Sequence, residues 1–270
     1  MKDLRCAVVQ VCAGLDKAGN VARAFELAGR AADDGAELIC LPEMFACYGP
    51  FESMLEQAES VPGPTSEMLS EFAGKRSCWL VAGSLFERTP EGRVYNCCLV
   101  LSDSGEIVAT YRKIHLFDVD IPGGVHYAES EHVTPGDSVV TVDSPWARLG
   151  VSICYDVRFP ELYRRLADAG AEVVLVPAAF AYQTGSQHLD VLVRCRAIEN
   201  QVFVIAANQC AEHPGGLKSY GHSRIVDPWG KALASLEDDE GYCVAELSAQ
   251  RLAQVRSQLP ALRHRRLGKS

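Results

Sequence analysis

The stretch Leu-Gly-Val-Ser-Ile-Cys-Tyr-Asp-Val-Arg-Phe-Pro-Glu-Leu-Tyr, residues 149–163, decides how this chain is read. Its first five residues have the length and bulk of a buried strand. The run stops at Cys154, polar and charged positions follow, and a helical pattern begins at Phe159-Pro160-Glu161. Proline suits the first turn of a helix, and a glutamate beside it complements the positive end of the dipole. A thiol at such a strand-to-helix corner lies beside unpaired backbone N–H groups, which favour a thiolate or an oxyanion. Read alone, Cys154 also has the ordinary reading of a small buried hydrophobe.

On either side of this corner, strands and helices interleave. Apolar runs predict strands over residues 4–11, 37–41, 79–86, 95–101 and 107–112, with a tight turn at Asp103-Ser104-Gly105. An amphipathic helix is expected over 20–33, with Asn20 as its N-cap, and another near 66–75. Residues 113–135, including Ile121-Pro122-Gly123-Gly124, form a long irregular segment of the kind that is usually functional or disordered. Further strands are expected over 138–142, 148–153, 173–176, 203–208, 223–226 and 242–247. Helices are expected from Pro160 to about Ala169, over 188–201 and over 248–258. No low-complexity linker divides them, so the expectation is one α/β domain over 1–270, a layered sandwich with helices covering buried sheets.

A chain of 270 residues with 48% hydrophobic and 23% charged residues can bury a large core without staples. Its net charge of −9 argues against a nucleic-acid or anionic-membrane partner. The basic tail, with Arg263, Arg265, Arg266 and Lys269, is the local exception and reads as a solvated end or a subunit contact. Eleven cysteines are scattered without any Cys-x-x-Cys, several inside apolar runs, as for core thiols in a reducing compartment. Met1-Lys2-Asp3 leads directly into a strand, and no apolar run approaches the ~20 residues of a membrane span. The expected location is cytoplasmic.

Glu43, Lys113 and Cys154 each follow the C-terminal end of a predicted strand, the edge where open α/β sheets assemble their sites. Singly, Glu43 and Lys113 have the ordinary reading of solvated loop residues. Jointly, Leu-Pro-Glu-Met-Phe (41–45), Tyr-Arg-Lys-Ile-His-Leu-Phe-Asp (111–118) and Cys-Tyr-Asp-Val-Arg-Phe-Pro-Glu-Leu (154–162) resemble the three signature motifs of the nitrilase superfamily, the carbon–nitrogen hydrolases. The resemblance continues through Arg196-Ala197-Ile198-Glu199-Asn200 and Tyr220-Gly221-His222-Ser223 to Asp227-Pro228-Trp229-Gly230. It implies a four-layer αββα sandwich that dimerises through its outer helices, and a Glu–Lys–Cys triad on Glu43, Lys113 and Cys154. It also implies a second glutamate before Thr134-Pro135-Gly136-Asp137, which Ala128-Glu129-Ser130 matches at Glu129, with Glu131 as the neighbouring competitor.

These residue types fit amide chemistry. A neutral thiol is a poor nucleophile, so a base such as Glu43 must take its proton and later return one to the leaving nitrogen. Lys113 offsets the carboxylate charge and can hold an oxyanion together with the backbone N–H of Tyr155. A Cys–His pair using His115, His188 or His222 lacks family-like context, and His115, His126 and His132 lack metal-ligand spacing. No metal or cofactor is expected. The string 113–123 resembles the branch of deaminated-glutathione amidases and omega-amidases, and residues 158–162, 206–210, 220–223 and 226–230 lean to the former. The substrate expected from this resemblance is a small linear amide of a 2-oxo acid, of deaminated-glutathione type. An omega-amidase acting on 2-oxoglutaramate or 2-oxosuccinamate, a nitrilase, and an inactive binding module are the alternatives. Arg158 is a candidate partner for a substrate carboxylate, or else a structural ion pair with Glu161 or Asp156. Thr184 opens a stretch, 184–189, that departs from the branch at Ser186 and Leu189, where proline and tryptophan are more usual.

Overall fold

The computed structural model describes residues 1–122 and 126–267, so Gly123 and Gly124 of the predicted loop and Lys269 of the basic tail lie outside the described residues. The chain enters through β1 (Leu4–Gln10), returns along α1 (Lys17–Asp33) and lays β2 (Leu38–Cys40) parallel to β1. Helices α2 (Phe51–Glu56) and α3 (Pro64–Arg76) precede β3 (Trp79–Val81), β4 (Leu85–Arg88), β5 (Val94–Leu101) and β6 (Ile107–Arg112). The segment after β6 carries a small pair, β7 (Asp118–Asp120) and β8 (His126–Ala128), and a 3-10 turn at Glu129–Glu131. Then come β9 (Thr141–Asp143), β10 (Arg148–Val151), α4 (Pro160–Asp168), β11 (Val173–Ala178), α5 (Tyr182–Asn200) and β12 (Phe203–Asn208). A hairpin of β13 (Cys210–His213) and β14 (Leu217–Tyr220) follows. The chain closes with β15 (Arg224–Val226), β16 (Ala232–Ser235), β17 (Gly241–Leu247), α6 (Ala249–Gln258) and α7 (Ala261–His264).

Two mixed sheets result. The first runs β17-β1-β2-β3-β5-β4 with β6 also on β5, and the second runs β16-β15-β12-β11-β10-β9. Side chains alternate across a strand, and β1 shows what that alternation does here. Leu4, Cys6 and Val8 join the core shared with Val151, Val173 and Ile205 of the second sheet, whereas Ala7 and Val9 meet Val21, Leu27 and Leu69 of α1 and α3. On the far side, Leu162 and Leu166 of α4 and Leu189 and Val193 of α5 cover the second sheet. The layers are therefore helix, sheet, sheet, helix. Each fully buried Leu, Val or Ile in this stack is worth about 1.5–3 kcal/mol, and β11 contributes four such neighbours in a row, Val173 to Val176.

The differences from the sequence reading are local. Helix α1 starts earlier than expected because Asp16 caps it, accepting from Gly19 N at 3.1 Å. Asn20 sits inside that helix and instead ties Gly14 O and Ala46 O together at 2.9 Å each. The strand expected over 79–86 breaks into β3 and β4 at Gly83, whose φ of 53° is left-handed. Helix α5 begins at Tyr182, two turns before the expected start, with Gly185 lying directly against Tyr220 of β14. In the tail, Arg265 pairs with Asp168 at the end of α4. The hairpin β13–β14 is too polar, and the four-residue edge strand β16 too brief, to stand out in the sequence.

Gly83 places the loop that follows β2. A Cβ there would lie 2.0 Å from Pro42 O, a backbone atom that cannot swing aside. Gly83→Ala should therefore destabilise the protein by about 2 kcal/mol or more, since the left-handed conformation alone costs roughly 1–2 kcal/mol. The urea unfolding midpoint checks this, and an unchanged midpoint would show that the turn has room.

Candidate active site

Three turns at strand ends bring the site together. After β2, Pro42-Glu43-Met44 makes a sharp bend, with Met44 at φ 55°. The bend is pinned by Ser84 Oγ, which accepts from Met44 N at 3.1 Å, and by Gln209 Nε2, which donates to Glu43 O at 3.0 Å. Lys113 follows β6 directly. Its N–H donates to Asn96 O and its carbonyl accepts from Gly136 N. Cys154 follows β10 and opens a 3-10 turn, Cys154–Arg158, with a left-handed φ of 44°. That conformation costs a non-glycine residue roughly 1–2 kcal/mol, so the surroundings must hold it. Asp156, wholly buried, does so. It accepts from Ile153 N at 2.9 Å, from Tyr111 O–H at 2.6 Å and from His115 N at 3.0 Å, and it bonds His115 Nδ1 at 2.7 Å. One carboxylate thus locks the Cys154 corner to the Lys113 segment.

The buried polar groups form a closed network. Lys113 Nζ donates to Glu43 Oε1 at 2.9 Å and to Glu129 Oε2 at 2.8 Å. Asn96 Nδ2 donates to Glu43 Oε1 at 2.9 Å and to Glu129 Oε1 at 3.0 Å, and Phe117 N donates to Glu129 Oε2 at 2.7 Å. Both oxygens of Glu129 are thereby occupied, whereas Glu43 keeps Oε2 clear of N–H donors among the described residues. Glu129 reaches Glu43 only through Asn96 and Lys113. Of the two glutamates in Glu129–Glu131, Glu129 is buried here and Glu131 is exposed.

Burial works against the charge of Lys113, but Glu129 and Glu43 outweigh it and hold the ammonium well above its ordinary pKa. Burial, and then the Glu43 charge, push the Cys154 thiol well above the usual thiol range, with Lys113 pulling the other way. Both effects favour the neutral thiol, and the Glu43 carboxylate lines the same well. The N–H of Tyr155 has no acceptor among the described residues. The arrangement can therefore deprotonate a thiol as it attacks and offer two donors to the oxygen that becomes charged.

Cys154, Glu43, Lys113, Glu129 and Asn96 line a narrow well walled by Tyr48, Phe117 and Tyr127. The well shares Tyr48, Phe117, Tyr127 and Ala179 with a cavity of about 500 Å³, whose outer wall includes Tyr182 and Lys218. Burial, followed by the negative charge of Glu43, keeps the Tyr48 phenol protonated. Arg158 lies outside both linings. Its Nη1 is 3.1 Å from His188 Nδ1, its guanidinium covers the rings of Tyr155 and Phe180, and neither Glu161 nor Asp156 pairs with it. Thr184 also lies outside them, donating to Ala181 O at 3.3 Å, while its neighbours Tyr182 and Gln183 line the cavity. Leu189 is in the core, so the departure from tryptophan there changes packing under the sheet rather than the cavity wall. Asn96 escaped the sequence reading. The signal was an amide in the middle of the otherwise apolar strand Val94–Leu101.

The carbon-nitrogen hydrolase family matches residues 5–257. Omega-amidase NIT2 of Homo sapiens is 38% identical over 266 residues, 98% of this chain and 96% of that protein. The C. elegans NitFhit protein superposes with a TM-score of 0.92 at 36% identity, over 98% of this chain but 66% of its own longer chain. A mutant amidase from Nesterenkonia sp. AN1, carrying acrylamide added at its active site cysteine, superposes at 0.79 with 30% identity, over 95% and 98% of the two chains. On the family match and the near full-length identity, this chain belongs to the carbon-nitrogen hydrolases.

Proposed function

We propose that this hydrolase cleaves a small linear carboxamide through a thioester on Cys154. The observation that carries this reading is the buried Lys113 ammonium, shared by Glu43 and Glu129 at 2.9 and 2.8 Å beside a thiol on a left-handed corner. Glu43 takes the Cys154 proton as sulfur bonds to the carbonyl carbon. The oxyanion is held by the Tyr155 N–H and by Lys113, whose third hydrogen is not used by either carboxylate. Collapse breaks the C–N bond, and the proton on Glu43 leaves with the nitrogen. Water then attacks the thioester, giving a proton to Glu43 and releasing the carboxylate, and that proton returns to sulfur. Glu129, with both oxygens engaged, anchors Lys113 and is not a proton acceptor in this scheme.

The substrate is a 2-oxo-acid amide, and two kinds fit. Residues 158–162, 206–210, 220–223 and 226–230 favour the deaminated-glutathione type. The kinship with omega-amidase NIT2 favours omega-amides such as 2-oxoglutaramate. Either carries a carboxylate beyond the scissile amide, and Lys218, over the Tyr182 ring at 4.7 Å in the outer cavity, is placed to meet it. Side-by-side assays of amine or ammonia release from both amides and from a nitrile decide among them. Inactivity on all of them would overturn the amidase reading.

The chain is further proposed to act as a cytoplasmic homodimer. Among the described residues no helix is long and apolar enough to cross a membrane, and all eleven cysteines are free. Val191 and Ile198 of α5, with Trp229 nearby in sequence to β15, are large apolar side chains left exposed. Light scattering at micromolar concentration should give about twice 29.3 kDa, and a monomer mass would contradict the dimer.

Cys154→Ala should fold and show no turnover. Lys113→Met should lower kcat by about 10²–10³, the usual effect of one removed oxyanion donor, and lower stability by about 3–5 kcal/mol because two buried carboxylates lose their partner. The raised thiol pKa predicts that the 240 nm absorbance difference between the wild type and Cys154→Ala stays flat through about pH 8.5, the ordinary thiol midpoint. A thiolate signal near pH 7 would contradict a neutral resting thiol.

A further inference from the structure

Asn96 sits in the middle of β5, 1% exposed, between Tyr95 and Cys97. Its two amide hydrogens go to two different carboxylates, Glu43 Oε1 and Glu129 Oε1. The opposite orientation of the amide would set its oxygen against both anions, so the partners themselves fix which end is nitrogen. The oxygen, Oδ1, is then buried with no hydrogen-bond partner among the described residues. An unpaired buried acceptor destabilises a fold. The oxygen does not account for an asparagine here. What it supplies is a pair of N–H donors between two carboxylates that share a single lysine.

We propose that Asn96 is a positioning residue that selects the basic oxygen of Glu43. Together with Lys113 it fills Oε1 with two donors, which turns Oε2 alone toward the work of taking a proton from Cys154. It also pins Glu129 at the opposite carboxylate oxygen from the one Lys113 holds, which keeps the two anions apart. Without it, Glu43 is tied at one point and can rotate about its last torsion, and its two oxygens become interchangeable. The inference rests on the reading of Glu43 as the base.

The test uses the full chain with Asn96→Leu, Asn96→Asp and Glu43→Gln. It follows ammonia release from 2-oxoglutaramate and, independently of turnover, iodoacetamide alkylation of Cys154 by mass spectrometry across pH. Asn96→Leu should lose about 10²-fold in kcat, the scale of a small misplacement of a reacting group, with KM within about threefold of the parent by the same reasoning, since the variant does not touch the outer cavity. The acid limb of kcat/KM and of alkylation should move to higher pH, because a carboxylate that loses a donor is more easily protonated. The unfolding midpoint of Asn96→Leu should fall modestly, since two buried carboxylates each lose a donor. Asn96→Asp, which is isosteric, should move the acid limb in the same direction by adding a third negative charge, and it serves if the leucine variant does not fold. A near-normal kcat and an unmoved acid limb in an Asn96 variant, with Glu43→Gln inactive, would overturn the role of Asn96 and leave the base intact. Retained turnover and alkylation in Glu43→Gln would overturn the base assignment and this inference with it.

Discussion

One ammonium group serves two buried carboxylates. Lys113 Nζ lies within 3 Å of both Glu43 and Glu129, and all three side chains are almost wholly removed from water. A buried charge persists only if paired and hydrogen-bonded, and removal of one partner leaves the others uncompensated. The rest of the site follows from meeting that condition. Asn96 and the Phe117 N–H supply the further donors that the two anions need. Glu129, in the 3-10 turn after β8, is brought back to Lys113 although 16 residues separate them.

The same network sets the character of the nucleophile. With two carboxylates and one lysine, the well carries excess negative charge before the thiol ionises, and burial adds to the penalty. A preformed thiolate is therefore disfavoured. The left-handed Cys154 corner is held by Asp156, whose contacts reach Tyr111 and His115 on either side of Lys113, so nucleophile and cation are positioned by a shared anchor.

The layered architecture makes such an arrangement possible. Two sheets packed face to face present the ends of β2, β6 and β10 near one another, and these ends are followed by Glu43, Lys113 and Cys154. Helices on both outer faces keep the strands dry, so the well lies in a low-dielectric setting in which each hydrogen bond to a charge counts for more than it would in water.

The sequence by itself determined the alternation of strands and helices and the strand-to-helix corner at Cys154, and through three short motifs it singled out Glu43 and Lys113 as candidates. These are local signals: apolar period, proline and glycine punctuation, and residue order. Even locally there were misses, where two residues competed for one job. Asp16 rather than Asn20 caps α1, and Gly83 divides a run that reads as one strand. Only the tertiary structure decided that Asn96 joins the site, that Asp156 clamps the corner, and that Arg158 and Thr184 stand outside the cavity while Lys218 borders it. The reason is distance along the chain. Lys113 and Glu43 are 70 residues apart, Asn96 and Glu43 are 53, and Tyr111 and Asp156 are 45. No periodicity reports contacts across such gaps, and the partners are chosen by burial, which leaves each polar group only the neighbours that the packed sheets bring to it.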